Sequence, residues 1–200
     1  MRLRAFAPED LPSLYDVCVR TADAGGDARQ LYPDQDLMPT IFLAPYVALD
    51  PSLAFVVDDG SRAVGYIIGT ADTGEFVRRC RQEWLPTVAG RYPAPAAIDT
   101  PSDEMLALLH TPERMIVPEL AAYPAHLHID LLPAYQRKGL GRELMTAFLA
   151  ALAGRGAPAV HLGMVTANVA ARAFYDRLGF HVIDVPDAGV LTYLGRSTDS

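Results

Sequence analysis

The sequence predicts a mixed α/β domain, a single sheet flanked by helices. Three observations predict it. Short β-branched and apolar runs alternate with segments of helical periodicity, in the order β-α-α-β-β-(insert)-β-α-β-α-β-β. Glycines close two helices in the second half of the chain. A proline-rich stretch between residues 70 and 124 interrupts the alternation once, between the third and fourth strands.

Arg2 to Phe6 alternates as a short strand, and Pro8 with Glu9 and Asp10 suits the start of a helix that places Leu11, Leu14, Val17 and Cys18 on one face. Ala24-Gly25-Gly26-Asp27 ends that helix, and Tyr32-Pro33-Asp34 is a turn. Leu37 to Val47 reads as a second helix, bent near Pro45. Leu53–Val57 and Ala63–Gly69 form a hairpin around Asp58-Asp59-Gly60. The insert, about residues 72–123, carries helical fragments and seven prolines from 86 to 124, and its length suggests a functional excursion. His126–Leu131 is a strand, Gly139–Ala153 an amphipathic helix with Gly154 as its left-handed cap, and Ala159–Val165 a strand. Val169–Leu178 is a helix stopped by Gly179, and Phe180–Val185 and Val190–Leu194 are the last strands. One domain over residues 1–200 is expected from the length and the absence of repeats.

Half the residues are hydrophobic and the net charge is −7, which disfavours nucleic acid and anionic membranes as partners and weakly favours a cationic one. No run approaches the ~20 apolar residues of a membrane span, and the N-terminus lacks the apolar core of a signal peptide, so a cytoplasmic location is the expectation. Cys18 and Cys80 are far apart and read as buried thiols. His110, His161 and His181 are scattered, so no metal is expected.

The most informative stretch runs from Ile129 to Arg142. A strand enters a loop, Gln136-Arg137-Lys138-Gly139-Leu140-Gly141, and the loop opens a helix. Unsatisfied N–H groups at a helix start, glycines without Cβ, and the charges of Arg137, Lys138 and Arg142 together suit a phosphate or pyrophosphate. Gly141 is followed by Arg142 rather than Lys-Ser/Thr, which excludes a Walker A loop, and Leu144 stands where a dinucleotide fingerprint needs its third glycine. On spacing alone, a glycine-rich turn with solvated charges remains the alternative.

Gln136-x-x-Gly139-x-Gly141 resembles the Gln/Arg-x-x-Gly-x-Gly/Ala loop of the GNAT superfamily of acyl-CoA N-acyltransferases. Asn168-Val-Ala-Ala-Arg-Ala-Phe174-Tyr175-Asp-Arg-Leu-Gly179-Phe180 is similar to that family's Asn-x-x-Ala-x-x-Phe-Tyr-x-x-x-Gly-Phe segment, at the expected distance. Tyr32 to Phe76 and the insert look like the acetyltransferase-like C-terminal domain of eukaryotic O-GlcNAcase and its free-standing bacterial relatives. The eukaryotic domain departs from the phosphate-loop pattern, which this chain keeps.

The resemblance implies a GNAT fold with a central, mostly antiparallel sheet. It implies acetyl-CoA as co-substrate and transfer of acetyl to an amine, either a small molecule or a peptide, by a monomer or homodimer. The backbones of Ile129, Leu131 and Leu132 would pair with the pantetheine arm where two strands splay, and Gln136 to Arg142 would hold phosphates, Leu140 included. Asn168 would cap the next helix near the cofactor, or serve as a plain N-cap. Tyr175 would protonate the leaving thiolate, or be a packed helix tyrosine. The residues themselves suggest the base. His126, His128 and Asp130 alternate with apolar Leu127, Ile129 and Leu131, so three titratable groups share one face of an interior strand. Asp130 and His128 are the candidates, with water or a purely structural polar cluster as the alternatives. Trp84, Tyr32 and Phe76 are candidate walls of an acceptor pocket, or core. The rival class is a catalytically silent acyl-CoA-binding sensor module.

Overall fold

In the computed structural model, which describes residues 1–199, β1 (Arg2–Ala5) leads through a 3₁₀ turn at Pro8–Asp10 into α1 (Leu11–Val19). The predicted second helix is two helices, α2 (Leu37–Phe42) and α3 (Ala44–Leu49). They break at Leu43, whose φ of −133° is non-helical, so that Pro45 falls in the first turn of α3, where its missing N–H leaves nothing unbonded. β2 (Ala54–Asp58) and β3 (Ala63–Thr70) form the hairpin.

The insert follows as α4 (Thr73–Arg79), a π-helical turn at Cys80–Trp84, α5 (Leu85–Val88), α6 (Pro101–His110) and two 3₁₀ turns. Its prolines punctuate: Pro101, Pro112 and Pro118 each begin a helical segment, and Thr100 with Asp103 forms a capping box on α6. The insert closes on itself. The Thr73 N–H donates to Pro124 O at 2.7 Å and the Thr73 hydroxyl donates to the same oxygen at 2.8 Å. The chain therefore returns to the point it left, and β4 (Ala125–Leu131) pairs directly with β3, Thr70 opposite His126.

α7 (Leu140–Gly154), β5 (Ala159–Val165), α8 (Val169–Asp176), β6 (His181–Ile183) and β7 (Leu191–Ser197) complete the order. The sheet runs β1-β2-β3-β4-β5-β7-β6, antiparallel everywhere except between β4 and β5. Phe148, Leu144, Met145 and Leu152 of α7 are fully buried on one sheet face, while Leu14 and Val17 of α1 and Tyr46 of α3 are buried on the other side. Gly154 is not the cap of α7. That glycine is still helical, and the left-handed residue is Gly156, with Gly156 N bonded to Ala153 O and Ala157 N to Leu152 O. The helix runs one residue past Ala153, and these two bonds, with Leu152 and Ala157 both buried, satisfy its last carbonyls. α8 ends by the same device at Gly179, as its sequence predicts, and this holds the Tyr175 and Phe180 rings 5.4 Å apart.

Candidate functional site

The site grows from a mismatch in the sheet. β4 pairs with β3 along its length but with β5 only at Ala125–Val160 and His126–His161. Beyond His126 the two strands separate. The Leu132 N–H donates to Val64 O at 3.1 Å, and the alternation of an antiparallel ladder then turns the N–H and C=O groups of Ile129 and Leu131 toward the gap. Leu132, expected to share this role, is corrected: its N–H is held by β3 and its carbonyl accepts from Tyr135 N at 2.8 Å.

The loop at the end of β4 is an amide cradle. The N–H groups of Arg137, Lys138, Gly139, Leu140 and Gly141 have no hydrogen-bond partner among the described residues. Two residues in the left-handed region, Arg137 (φ 59°) and Gly139 (φ 85°), curl the backbone so that successive N–H groups converge ahead of α7. Gln136 does not face the cradle. Its side-chain amide donates to Leu131 O at 2.9 Å and ties the loop to the strand. The two glycines differ in purpose. Gly139 supplies the positive φ, whereas a Cβ on Gly141 would stand 3.1 Å from the Phe174 ring, so Gly141 is small to let α8 pack against α7. Most arginines of the chain are ion-paired, but Arg137, Lys138 and Arg142 have no carboxylate partner among the described residues. Backbone donors, a helix start and three unspent cations fit a phosphate-bearing ligand.

On the opposite face of β4 lies a cavity of about 670 Å³. His126, His128 and Asp130 line it as the alternation predicts, and so do Tyr32, Phe76 and Trp84. The insert supplies one wall, with the π-helical turn placing both Cys80 and Trp84 on it. Asp130 Oδ2 accepts a hydrogen bond from the Tyr66 hydroxyl at 2.7 Å, from the residue opposite it on β3. Burial raises the Asp130 pKa above the usual carboxylate value, and the Tyr66 bond opposes part of that rise. Tyr175 is buried near this carboxylate, and burial together with the Asp130 charge pushes its phenol above the ordinary value, so it stays a protonated O–H. That hydroxyl has no hydrogen-bond partner among the described residues. Asn168 caps α8, accepting from Ala171 N at 3.0 Å, and its amide donates to Ala24 O at 2.8 Å; its side chain is a brace between α8 and the loop after α1.

A chain of hydrogen bonds fixes the histidine tautomers. The Thr73 hydroxyl gives its one proton to Pro124 O, so at 2.8 Å it accepts from His126 Nδ1–H. Burial lowers the His126 pKa far below its usual value, and the neutral ring therefore leaves Nε2 bare. The Tyr46 hydroxyl donates to that Nε2 at 2.8 Å and accepts from His128 Nε2–H at 3.1 Å. Burial, with the charge of Arg114, lowers the His128 pKa to about 4, so His128 is neutral as well and carries its lone pair on Nδ1. Cys18 and Cys80 are buried, unpaired thiols; burial pushes Cys80 up to about 12 and Cys18 higher still, which makes both inert. Tyr46, Tyr66 and Arg114 were not expected from the sequence. Among the described residues, no cluster of His, Cys, Asp or Glu is arranged to hold a metal ion, and no helix is long and apolar enough to cross a membrane.

The arrangement has known counterparts. Residues 106–180, from α6 through both motifs, match the acetyltransferase (GNAT) family. The solved structure of SsHAT is 60% identical, with a TM-score of 0.96, over 100% of this chain and 98% of that one. Protein O-GlcNAcase of Mus musculus is 25% identical over 181 residues, 88% of this chain; the chain spans about one fifth of that protein, 20% of its length. YncA of Salmonella typhimurium, solved with its cofactor acetyl-CoA, shares the fold at 17% identity and a TM-score of 0.59, over 100% of this chain and 95% of that one. With its loop, its split strands and a relative as similar as SsHAT, the chain belongs to the GNAT family of acetyltransferases.

Proposed function

We propose that the protein is an acetyl-CoA-dependent N-acetyltransferase acting on a small amine. The observation that carries this reading is the run of five unbonded N–H groups from Arg137 to Gly141, which opens beside the gap between β4 and β5. The solved relative YncA binds acetyl-CoA on the same fold. Acetyl-CoA supplies an activated acyl group and a thiolate that must be protonated as it leaves.

The chain's own residues divide the remaining work. The amide cradle with Arg137, Lys138 and Arg142 binds the phosphates, and the backbone edge of Ile129 with the Leu131 N–H pairs with the pantetheine amides, the Leu131 carbonyl being held by Gln136. Gln136 holds the loop in place. Asp130, a carboxylate whose affinity for protons is raised by burial, takes the proton from the incoming ammonium. His128 presents a neutral, bare Nδ1 that accepts a hydrogen bond from the amine, while its low basicity makes it a positioning residue rather than the base. Tyr175 donates its proton to the leaving thiolate.

The test is calorimetric titration with acetyl-CoA, followed by thiol-reagent detection of CoA released with a panel of small amines. Binding in the micromolar range, weakened at least tenfold by Lys138→Glu/Arg142→Glu, is expected. No binding sinks the reading. Binding without CoA release from any amine leaves the silent acyl-CoA-binding module in its place.

A further inference from the structure

The charges lining the cavity are few. Its wall is mostly apolar and aromatic, and Asp130 and Arg114 supply the one carboxyl group and the one guanidinium among its lining residues. His126, His128 and His161 are all held neutral by burial. Arg114 comes from the insert, in the 3₁₀ turn Pro112–Met115. Its backbone N–H is bonded to Thr111 O, but its guanidinium has neither an ion pair nor a hydrogen bond among the described residues. The neighbouring insert arginines Arg78, Arg79 and Arg81 are each paired with a glutamate. Arg114 is exposed as well as lining the cavity, so its five N–H donors stand at the mouth of a largely apolar space, a fork open to a ligand entering from solvent.

The two charges sit at different ends of the cavity. Arg114 sits in the turn that packs on α4, and Thr73 at the start of α4 is hydrogen-bonded to His126, so the arginine belongs to the end of the cavity where β4 begins. Asp130, bonded to the Tyr66 hydroxyl at 2.7 Å, stands further along the same strand, toward its other end. Two residues along a strand advance about 7 Å, so the backbone positions of His128 and Asp130 are about that far apart along β4. The phosphate loop follows the far end of β4, which separates Arg114 from the donor's phosphates. Residues between the charges are apolar or neutral, and they would hold the body of a small molecule.

We infer that Arg114 is the carboxylate-binding residue of the acceptor site, and that the acceptor is a small zwitterion whose amine faces Asp130 and whose carboxylate faces Arg114. A single arginine fork matches one planar carboxylate bidentately, and no second cation lines the cavity to balance a dianionic phosphate. This deepens the acetyltransferase reading and rests on it for the direction of the amine.

The test measures binding and turnover separately. Glycine, β-alanine, γ-aminobutyrate, 5-aminopentanoate and L-lysine would be titrated into the full chain in the presence of CoA, each beside the matching carboxamide. The same compounds would be assayed for CoA release from acetyl-CoA. At least one carboxylate is expected to bind tenfold or more tighter than its amide. Arg114→Gln is expected to abolish that difference and Arg114→Lys to restore it in part, with the acetyl-CoA dissociation constant unchanged in both. Equal binding of acids and amides, no binding of any, or an unchanged preference in Arg114→Gln overturns the inference. Arg114-dependent binding without CoA release upholds the subsite and overturns the transferase reading, so the two failures are distinct.

Discussion

The loop Gln136–Arg142 and the cavity lined by Arg114, His128 and Asp130 meet at β4, and they are built from different materials. The loop turns backbone toward its ligand: five N–H groups, oriented by two left-handed residues. The cavity presents side chains instead, and it draws them from α1, α2, α3, the insert, β4, β5 and β7. A backbone site is insensitive to side-chain chemistry as long as the chain can adopt the curl. A side-chain site depends on protonation states, and those depend on burial. The first suits a donor that never changes, the second an acceptor that must be chosen.

Four measurements would break or sharpen that contrast. The largest effect is expected from Asp130→Asn, which keeps an acceptor for the Tyr66 hydroxyl and removes only the base: turnover should fall about 10³-fold with acetyl-CoA affinity intact. The wild-type rate should also drop on acidification through the raised Asp130 pKa, since only the carboxylate form takes a proton, and the variant should lose this acid limb. An Asn variant with an unaltered pH profile would remove Asp130 from the base role. Next is Tyr175→Phe, which deletes a hydroxyl that nothing else in the described structure bonds; turnover should fall about 10²-fold with little change in binding. Full activity would leave the thiolate to be protonated by water.

The third effect is on stability. His128 has a folded pKa of about 4 against an ordinary 6.5, so below pH 6.5 the unfolded chain takes up protons that the folded chain refuses. Stability should therefore be complete above pH 6.5 and decline toward pH 4, by at most about 2 kcal/mol at pH 5 from this residue. Urea midpoints of wild type and His128→Gln at pH 5 and pH 7.5 measure it. Equal pH dependence in both chains would place the titration elsewhere. Smallest is Gly141→Ala. Its methyl would meet the Phe174 ring at 3.1 Å, which must give by a few tenths of an ångström, and about a threefold loss of acetyl-CoA affinity with about 1 kcal/mol of stability is expected. An unchanged Tm would mean that α8 yields freely.

The same contrast governs what could be read from the sequence. The donor loop is contiguous, so its glycine spacing, its strand-loop-helix setting and its cations are all visible in seven residues. Tyr175 and Asp130 are visible for the same reason, since one sits in a local motif and the other in a two-residue alternation. Tyr46, Tyr66 and Arg114 were not. Tyr46 and His126 are 80 residues apart, Tyr66 and Asp130 are 64 apart, and each tyrosine looks like an ordinary core aromatic. Arg114 lies in a turn whose only signal is a proline, and its lack of a partner is a property of the folded structure alone. The backbone bonds of Leu132 and the cap at Gly156 rather than Gly154 each rest on two hydrogen bonds of the folded loop, which periodicity does not resolve.

The neck of the insert makes this separation physical. Because Thr73 and Pro124 are joined by two hydrogen bonds, everything from 74 to 123 is a cassette whose ends already touch. The neck separates the insert's length from the register of β3 on β4, while Phe76 stacked on Tyr46 and Trp84 bonded to Thr40 O tie its first half to the core and must be kept. A new cassette would bring a different wall, with or without an arginine, and hence a different taste in acceptors. One constraint would travel with every exchange: the hydroxyl at position 73 anchors the proton chain that ends at His128, so a graft cut on the wrong side of Thr73 would rewrite the tautomers of a strand it never touched.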